Sequence, residues 1–343
     1  MAFEQVAVLG AGAIGGTITG YLSRAKCDVT LIDMWPAHVE AIRARGLTVT
    51  AENEEFTVPV TAVQLADACN IRKLFDAVFL AVKSYDSIWA AHFLRPLLSP
   101  TGVAVLAQNG INEDLVAPIV GYSRTIGCVV TFGAGAYEPG KVLRTGSVTR
   151  EAFKLGELNG MRTPRVEALV KLLSYVGPTH ATANLWGERW AKLTINCMAN
   201  ALAGITGLDN AQMRQHADVF PITLQVAGEA LTIAERLGVQ VEPVGGVPAR
   251  QYLEAARGIG ADTVHREWLE RGRSIGAGRP SLLQDVLKGR RTEVDHLNGY
   301  VVAKGREVSV PTPVNAAIVD VTHRVERGEL AQSPANLRLL RRE

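Results

Sequence analysis

The sequence of 343 residues has few cysteines and does not cluster them. Its four cysteines stand alone, without a C-x-x-C pair or a regular spacing, at Cys27, Cys69, Cys128 and Cys197. This pattern does not fit a disulfide scaffold, and it is typical of a protein from a reducing compartment. The seven histidines also lack the spacing of metal ligands, so we expect no metal site.

The sequence also lacks an excess of charge of either sign and a long apolar run. Its 36 Lys and Arg residues balance 34 Asp and Glu residues, and the net charge of +2 is too small for a dedicated nucleic-acid binder. No apolar run approaches the length of a membrane helix, which needs about 18 residues. The N-terminal segment MAFEQVAVLG has no basic part, so we do not expect a signal peptide. We expect a cytoplasmic protein that binds neither nucleic acid nor membranes.

Two patterns divide the chain, whose length corresponds to roughly two domains of about 150 residues. In the first half, helical stretches alternate with apolar or nearly apolar runs of strand length at residues 5–9, 28–32, 77–82 and 103–107. Such runs are typical of parallel strands that are buried on both faces. From Leu185 onward the patterns are helical, apart from a loop-rich stretch at 239–260. We predict a Rossmann-type doubly wound α/β domain over residues 1–180 and an all-α domain over residues 181–343.

Two further segments of the first half, 47–58 and 141–150, alternate apolar and polar residues over short distances. This alternation favours strands with one buried face. We therefore predict that both segments add antiparallel strands to the same sheet.

A glycine-rich segment follows the first predicted strand and opens a helix, and it consists of Gly10, Ala11, Gly12, Ala13, Ile14 and Gly15. This context is the one in which G-x-G-x-x-G binds a dinucleotide. Gly10 would permit the tight turn, Gly12 would let the backbone approach the pyrophosphate, and Gly15 would let the helix pack closely on the strand. The free N–H groups of the helix N-terminus would hold the pyrophosphate. The segment predicts a dinucleotide site rather than a purely structural turn.

An acidic residue, Asp33, ends the second predicted strand, eighteen residues after Gly15. A carboxylate at this place accepts hydrogen bonds from the ribose hydroxyls of NAD. Alternatively, Asp33 is an exposed loop residue or a cap of the helix that starts at Pro36. The spacing favours the cofactor role, and a carboxylate here would repel a 2′-phosphate. We therefore expect NAD rather than NADP.

Lys192, Asn196 and Asn200 are spaced i, i+4 and i+8, so they form one polar stripe on a predicted helix. Asparagine is a poor helix former, and two of them inside a helix need a reason. They either bond packed helices to each other or face a polar ligand beside the nicotinamide. This segment alone does not decide between the two.

Three more residues lie at places that suit a ligand site. Glu293 follows Thr292, which can cap a helix, and a carboxylate there favours the helix dipole or reaches Lys192. Lys83 and Asn109 follow predicted strands, and ligands of parallel sheets bind at the carboxyl ends of the strands. Taken singly, a residue at the place of Lys83 or Asn109 is more often a turn residue.

Together these segments resemble the ketopantoate reductase (2-dehydropantoate 2-reductase) family over nearly the whole chain. The resemblance is carried by VAVLGAGAIGG, AVKS, QNG, ERWAKLTINCMAN, PSLLQD and RRTEVDHLNG, in this order and spacing. It implies a nicotinamide-dependent reduction of a small 2-oxo acid, namely 2-dehydropantoate to (R)-pantoate.

The family resemblance also implies roles for individual residues. Lys192 would be the proton donor, with Glu293 holding its ammonium group. The substrate would contact Lys192, Asn196, Asn200, Asn210 and Ser281. The cofactor would contact Gly10 to Gly15, Lys83, Asn109, Gly133, Ala134 and Glu293.

The sequence departs from the family in two places. Members that use NADPH usually have a basic residue after the second strand, where this chain has Asp33 and Met34, so NADP is the alternative that the family suggests. Extra sequence around 239–278 leaves the substrate among small oxo acids open. A homodimer is one option for the oligomeric state, which the sequence leaves undecided.

Two other functions compete with this interpretation. A β-hydroxyacid dehydrogenase shares the Rossmann domain and a K-x-x-x-N like that of Lys192 and Asn196, but it normally has a glycine-rich segment before its second domain that is absent here. It also lacks the TEVDHLNG element. A nucleotide-sensing protein without catalysis would not need Lys192 and Glu293.

Overall fold

The structure is a computed structural model that describes residues 3–273 and 278–340. The chain forms two compact units. The first contains the chain up to Gln108 and Asn112–Leu185, and the second contains Asn109–Ile111 and the chain from Trp186 onward. Within the described ranges, no helix combines the length and the hydropathy needed to cross a membrane.

Strands and helices alternate along most of the first unit. Its strands are β1 (Gln5–Leu9), β2 (Asp28–Asp33), β3 (Leu47–Ala51), β4 (Glu54–Val58), β5 (Thr61–Gln64), β6 (Phe75–Leu80), β7 (Leu98–Leu106), β8 (Thr125–Val130), β9 (Gly133–Gly135), β10 (Lys141–Thr145), β11 (Phe153–Glu157) and β12 (Thr179–Ala181). Its helices are α1 (Ala13–Arg24), α2 (Pro36–Arg45), α3 (Ser87–Leu94), α4 (Glu113–Val120) and α5 (Pro164–Leu173).

Eight of these strands form one sheet in the order β12-β11-β8-β7-β6-β1-β2-β5. All neighbours in it are parallel except β8 and β11. The strand β1 lies between β2 and β6. The connection after β1 leads to one side of it and the later strands lie on its other side, so the strand order reverses at the carboxyl end of β1. Ligands of open α/β sheets bind at such a switch point.

The central strand β1 is buried on both of its faces. Val6 and Val8 belong to one hydrophobic cluster, and Ala7 and Leu9 belong to another. All four are at most 1% exposed. The continuous apolar run at residues 6–9 thus reflects a strand that is covered on both faces of the sheet.

A second sheet of four strands, in the order β4-β3-β10-β9, corrects one prediction. The alternating segments do form strands, but they do not extend the main sheet. The strand β10 pairs parallel with β3, and only β4 and β9 are antiparallel to their neighbours. The reason lies in α1, because a Cβ atom at Gly16 or Gly20 would lie within 2.6 Å of the side chains of Val142 or Val49. The absence of side chains at Gly16 and Gly20 therefore lets the small sheet pack directly against α1.

The second unit is built mainly from helices in the part that the structure describes. Its helices are α6 (Leu185–Thr206), α7 (Asn210–Gln215), α8 (Val219–Arg236), α9 (Ala249–Ala256), α10 (Ala261–Arg273), α11 (Ser281–Leu287), α12 (Asn298–Glu307) and α13 (Pro313–Glu326). The stretch 239–260, predicted to be loop-rich, contains α9. A short 3-10 helix at Val294–His296 precedes α12.

The predicted fold class is confirmed. A Rossmann-type doubly wound sheet domain is followed by an all-α domain.

Candidate active site

The glycine turn between β1 and α1 has the geometry of a dinucleotide site. Gly10 has a φ of 102°, and a Cβ atom there would lie 2.8 Å from the carbonyl carbon of Ala81. At Gly15, a Cβ atom would lie 1.9 Å from the Gly10 carbonyl oxygen. At Gly12, by contrast, a Cβ atom would meet no atom within 4 Å. The fold itself requires glycine at Gly10 and Gly15, whereas Gly12 faces open space.

The backbone N–H groups of this turn divide into two sets. Gly10 donates to the Ile32 carbonyl at 2.8 Å, and Ala11 donates to the Asp33 carboxylate. Among residues 3–273 and 278–340, the N–H groups of Gly12, Ala13 and Ile14 have no acceptor. Three donors at a helix N-terminus beside an open glycine fit the pyrophosphate of a dinucleotide.

The Asp33 carboxylate is half-buried and binds the backbone on both sides. One oxygen accepts from the Ala11 N–H, and the other accepts from the Trp35 N–H at 2.7 Å. The second bond lies just before α2, so Asp33 does support the start of that helix. A carboxylate offers about four acceptor positions, which leaves two for ribose hydroxyls.

Sequence reasoning missed His38, which binds the same turn. Its Nε2 lies 3.0 Å from the Ala11 carbonyl oxygen, and its Nδ1 accepts from the Gly140 N–H at 2.8 Å. The signal was its position in α2, where it shares a buried face with Val39 and Ile42.

The other predicted cofactor residues of the first unit lie in two places. Lys83 directly precedes a short 3-10 helix, Ser84–Asp86, that follows β6. Gly133 and Ala134 belong to β9, which contacts α1, the helix that the glycine turn opens. Their contacts with a cofactor stay a prediction.

In the second unit, α6 carries the predicted polar stripe. Asn196 and Asn200 are buried and Lys192 is half-buried. The Asn196 side chain donates to Asn109 Oδ1 at 3.4 Å, which brings two predicted site residues together. Burial lowers the pKa of the Lys192 ammonium from its ordinary value. A stripe of buried amides next to a desolvated ammonium suits a small polar ligand.

The start of α11 lies against the same helix. Gly204, one turn beyond Asn200, would bring a Cβ atom 3.3 Å from the Cβ atom of Leu282. Ser281 precedes Leu282, and its hydroxyl oxygen is buried without a hydrogen-bond partner in the described part of the chain. The Asn210 N–H donates to the Gly278 carbonyl at 3.2 Å, which places the start of α7 near the chain leading into α11.

Glu293 is 3% exposed, and its carbonyl oxygen accepts from the His296 and Leu297 N–H groups. The contact that we expected between the Lys192 ammonium and the Glu293 carboxylate, and the role of Glu293 in the reaction, stay predictions.

Comparison with known proteins gives matches along nearly the entire chain. Residues 6–160 match the family described as ketopantoate reductase PanE/ApbA, and residues 184–326 match its C-terminal domain. The 2-dehydropantoate 2-reductase of Pyrococcus horikoshii is 30% identical over 315 residues, which cover 91% of this chain and 94% of that protein.

Two solved structures are similar in fold. A PanE/ApbA family ketopantoate reductase from Ralstonia eutropha JMP134 has a TM-score of 0.78 at 28% identity, over 94% of this chain and 99% of that one. A D-mandelate dehydrogenase in a ternary structure with NADH and anilino(oxo)acetate has a TM-score of 0.80 at 22% identity, over 94% and 98% of the two chains, and this likeness concerns the fold. With both halves matched in order, the chain belongs to the ketopantoate reductase family.

Proposed function

We propose that this protein reduces 2-dehydropantoate to (R)-pantoate with a nicotinamide dinucleotide. The observation that carries the proposal is the stripe of Lys192, Asn196 and Asn200, in which a desolvated ammonium and two buried amides share one helix face. The relatives named 2-dehydropantoate 2-reductase support the same substrate.

Lys192 would act as the proton donor. When bound, the nicotinamide would supply the hydride to the ketone carbon of the substrate. The Lys192 ammonium would donate a hydrogen bond to the ketone oxygen and transfer a proton to it as negative charge develops there. Burial lowers the pKa of this ammonium, which makes it a stronger acid for that step.

The remaining polar groups of the second unit would bind the substrate. The amide N–H groups of Asn196 and Asn200 and the Ser281 hydroxyl are neutral donors for a carboxylate and a hydroxyl. An unpartnered buried hydroxyl costs about 1–3 kcal/mol. A substrate oxygen bonded to Ser281 would remove this cost, so the unpaired Oγ atom favours a polar ligand there.

The first unit would hold the dinucleotide, and Asp33 would select NADH. Its two backbone hydrogen bonds keep the carboxylate from turning away from a 2′-phosphate. Like unit charges 4 Å apart repel by roughly 4 kcal/mol at an effective dielectric constant of about 20. Arg43 could neutralise a phosphate, but it already binds the Ala62 carbonyl at 2.8 Å and lies 3.4 Å from the Asp67 carboxylate.

A second candidate is a dehydrogenase of another 2-hydroxy acid. Two observations favour it. The D-mandelate dehydrogenase of similar fold was solved with NADH, and the extra sequence around 239–278 folds into α9 and α10 within its described part.

One assay decides between these functions. The absorbance of NADH and of NADPH is followed with 2-dehydropantoate, pyruvate, 2-oxoisovalerate, oxaloacetate and 2-oxo-2-phenylacetate. The highest kcat/KM is expected for 2-dehydropantoate with NADH. A tenfold preference for another oxo acid would favour the second candidate, and no oxidation of either cofactor would contradict both.

For the cellular setting, we propose a cytoplasmic homodimer. All four cysteines are free, which suits a reducing compartment. Light scattering on the eluted protein measures the mass, and a mass near that of one chain would contradict the dimer.

A further inference from the structure

His38 connects three segments of the first unit through its two ring nitrogens. The ring is 1% exposed and lies between the glycine turn and the chain before β10. The Gly140 N–H can only donate, so Nδ1 is the unprotonated nitrogen. The proton therefore sits on Nε2, which donates it to the Ala11 carbonyl.

The hydrogen bond from His38 Nε2 to the Ala11 carbonyl controls the direction of the neighbouring Gly12 N–H. In a planar trans peptide, the carbonyl of Ala11 and the N–H of Gly12 point in opposite directions. Holding the carbonyl on the His38 side thus aims the Gly12 N–H to the other side. Asp33 holds the preceding peptide through the Ala11 N–H. Both peptides that flank the Ala11 Cα atom are therefore tied to side chains from β2 and α2.

We propose that His38 is a positioning residue for the dinucleotide, because its Nε2–H fixes the Ala11–Gly12 peptide so that the Gly12 N–H is presented to the pyrophosphate. The proposal rests on the dinucleotide binding argued above. It assigns to a side chain outside the glycine turn the task of shaping the anion site.

The surroundings of His38 keep it in the required state. Burial lowers the pKa of its imidazole, so the ring stays neutral at neutral pH and Nδ1 stays an acceptor. The Trp35 ring stacks on it, with 5.1 Å between ring centroids and 8° between planes. Gly140 has a φ of 80°, and a Cβ atom there would lie 3.1 Å from the Ala41 Cβ atom, so its backbone N–H can come this close to α2.

Two substitutions separate the bonds of His38. In His38→Gln, the amide nitrogen can take the place of Nε2 and still donate to the Ala11 carbonyl, while the Gly140 N–H loses its acceptor. In His38→Asn, the amide oxygen can take the place of Nδ1 and still accept from Gly140, while the Ala11 carbonyl loses its donor. Each variant removes one buried hydrogen bond, so a purely structural role predicts similar losses of stability and no change in cofactor affinity.

The readout is the Kd of NADH, measured by fluorescence titration of the full chain at pH 8, beside denaturant unfolding. We expect His38→Asn to raise the Kd about fivefold to tenfold, the equivalent of one hydrogen bond, and His38→Gln to stay within about twofold of the wild type. His92→Asn, at an exposed position of α3, serves as the control. Equal Kd values in all variants, equal increases in both His38 variants, or a larger increase in His38→Gln would overturn the proposal.

A measurement on the wild type keeps the test valid if His38→Asn does not fold. Nitrogen-15 NMR of the histidine rings, with His38 assigned through the His38→Gln spectrum, should show the Nε2–H tautomer with and without NADH. The Nδ1–H tautomer or an imidazolium would overturn the proposal. If the wild type binds neither NADH nor NADPH, the proposed function itself is wrong, and the role of His38 falls with it.

Discussion

The side chains of Asn298 and Asn315 are joined by a hydrogen bond of 2.9 Å in the core of the second unit. Asn298 also donates to the Cys197 carbonyl at 3.4 Å, and Asn315 donates to the Glu229 carboxylate at 2.6 Å. Cys197 follows Asn196 on α6, so this chain of bonds ties α12, α13 and α8 to the helix that carries the polar stripe.

Replacing Asn298 should therefore destabilise the protein. In Asn298→Ala, the buried Asn315 Oδ1 loses its donor, and we expect the free energy of unfolding to fall by about 1–3 kcal/mol. Denaturant unfolding measures the change. The matched control is Asn70→Ala, at an exposed asparagine, which should stay within about 0.5 kcal/mol of the wild type. A similar stability for both variants would show that the bond contributes nothing.

Replacing Lys192 should reduce turnover while leaving cofactor binding intact. We expect Lys192→Ala to lower kcat by about 10²-fold, because it removes a positioned acid. Lys192→Arg keeps the charge, but a guanidinium does not release its proton, so it should also be slow. The Kd of NADH should not change in either variant. Near-normal turnover in Lys192→Ala would eliminate the proposed mechanism.

The pH profile of the wild type supplies a second measurement on Lys192. Reduction needs the protonated ammonium, so the rate falls as the pH rises through its pKa. Because burial lowers this pKa, the fall should occur below the ordinary lysine value of about 10.4.

The cofactor preference depends on Asp33. We expect the wild type to have at least a tenfold higher kcat/KM with NADH than with NADPH, and Asp33→Arg to reduce or reverse this ratio. Glu40→Gln, which removes an exposed carboxylate of α2, is the control and should keep the wild-type ratio. A tenfold preference of the wild type for NADPH would contradict the role of Asp33 in cofactor selection. Asp33 would then only stabilise the glycine turn and the start of α2 through its two backbone hydrogen bonds.

The glycines of the turn should separate into folding and binding positions. Gly12→Ala meets open space at an ordinary φ of −61°, so its stability should be unchanged while the Kd of NADH rises by about tenfold or more. Gly10→Ala places a Cβ atom against Ala81 at a φ of 102°, so it should cost about 1–3 kcal/mol of stability. Thermal unfolding and NADH titration check both. Equal binding by Gly12→Ala and the wild type would argue against a pyrophosphate at this turn.

Local patterns predicted elements well where burial and periodicity agree. The run at residues 5–9 is β1, the run at 28–32 is most of β2, and the helix predicted to start at Pro36 is α2. The helix α9 was missed because prolines and glycines on both sides of it dominate the pattern, although its own residues Tyr252, Leu253 and Ala255 are buried. Helix propensity predicts a short helix poorly when the packing of its one buried face decides whether the helix forms.

The sequence by itself determined the two kinds of secondary structure, the position of the glycine turn and the polar stripe on α6, because each depends on neighbours within a few residues. Tertiary structure decided which strands pair and which polar groups meet. Thr48 pairs with Lys141, and Gly140 bonds to His38, which is 102 positions away in the chain. Such contacts depend on how glycine-faced helices and buried rings fit together in space. No local period encodes them, so the bond between Asp33 and the Ala11 N–H and the tautomer of His38 emerged from packing alone.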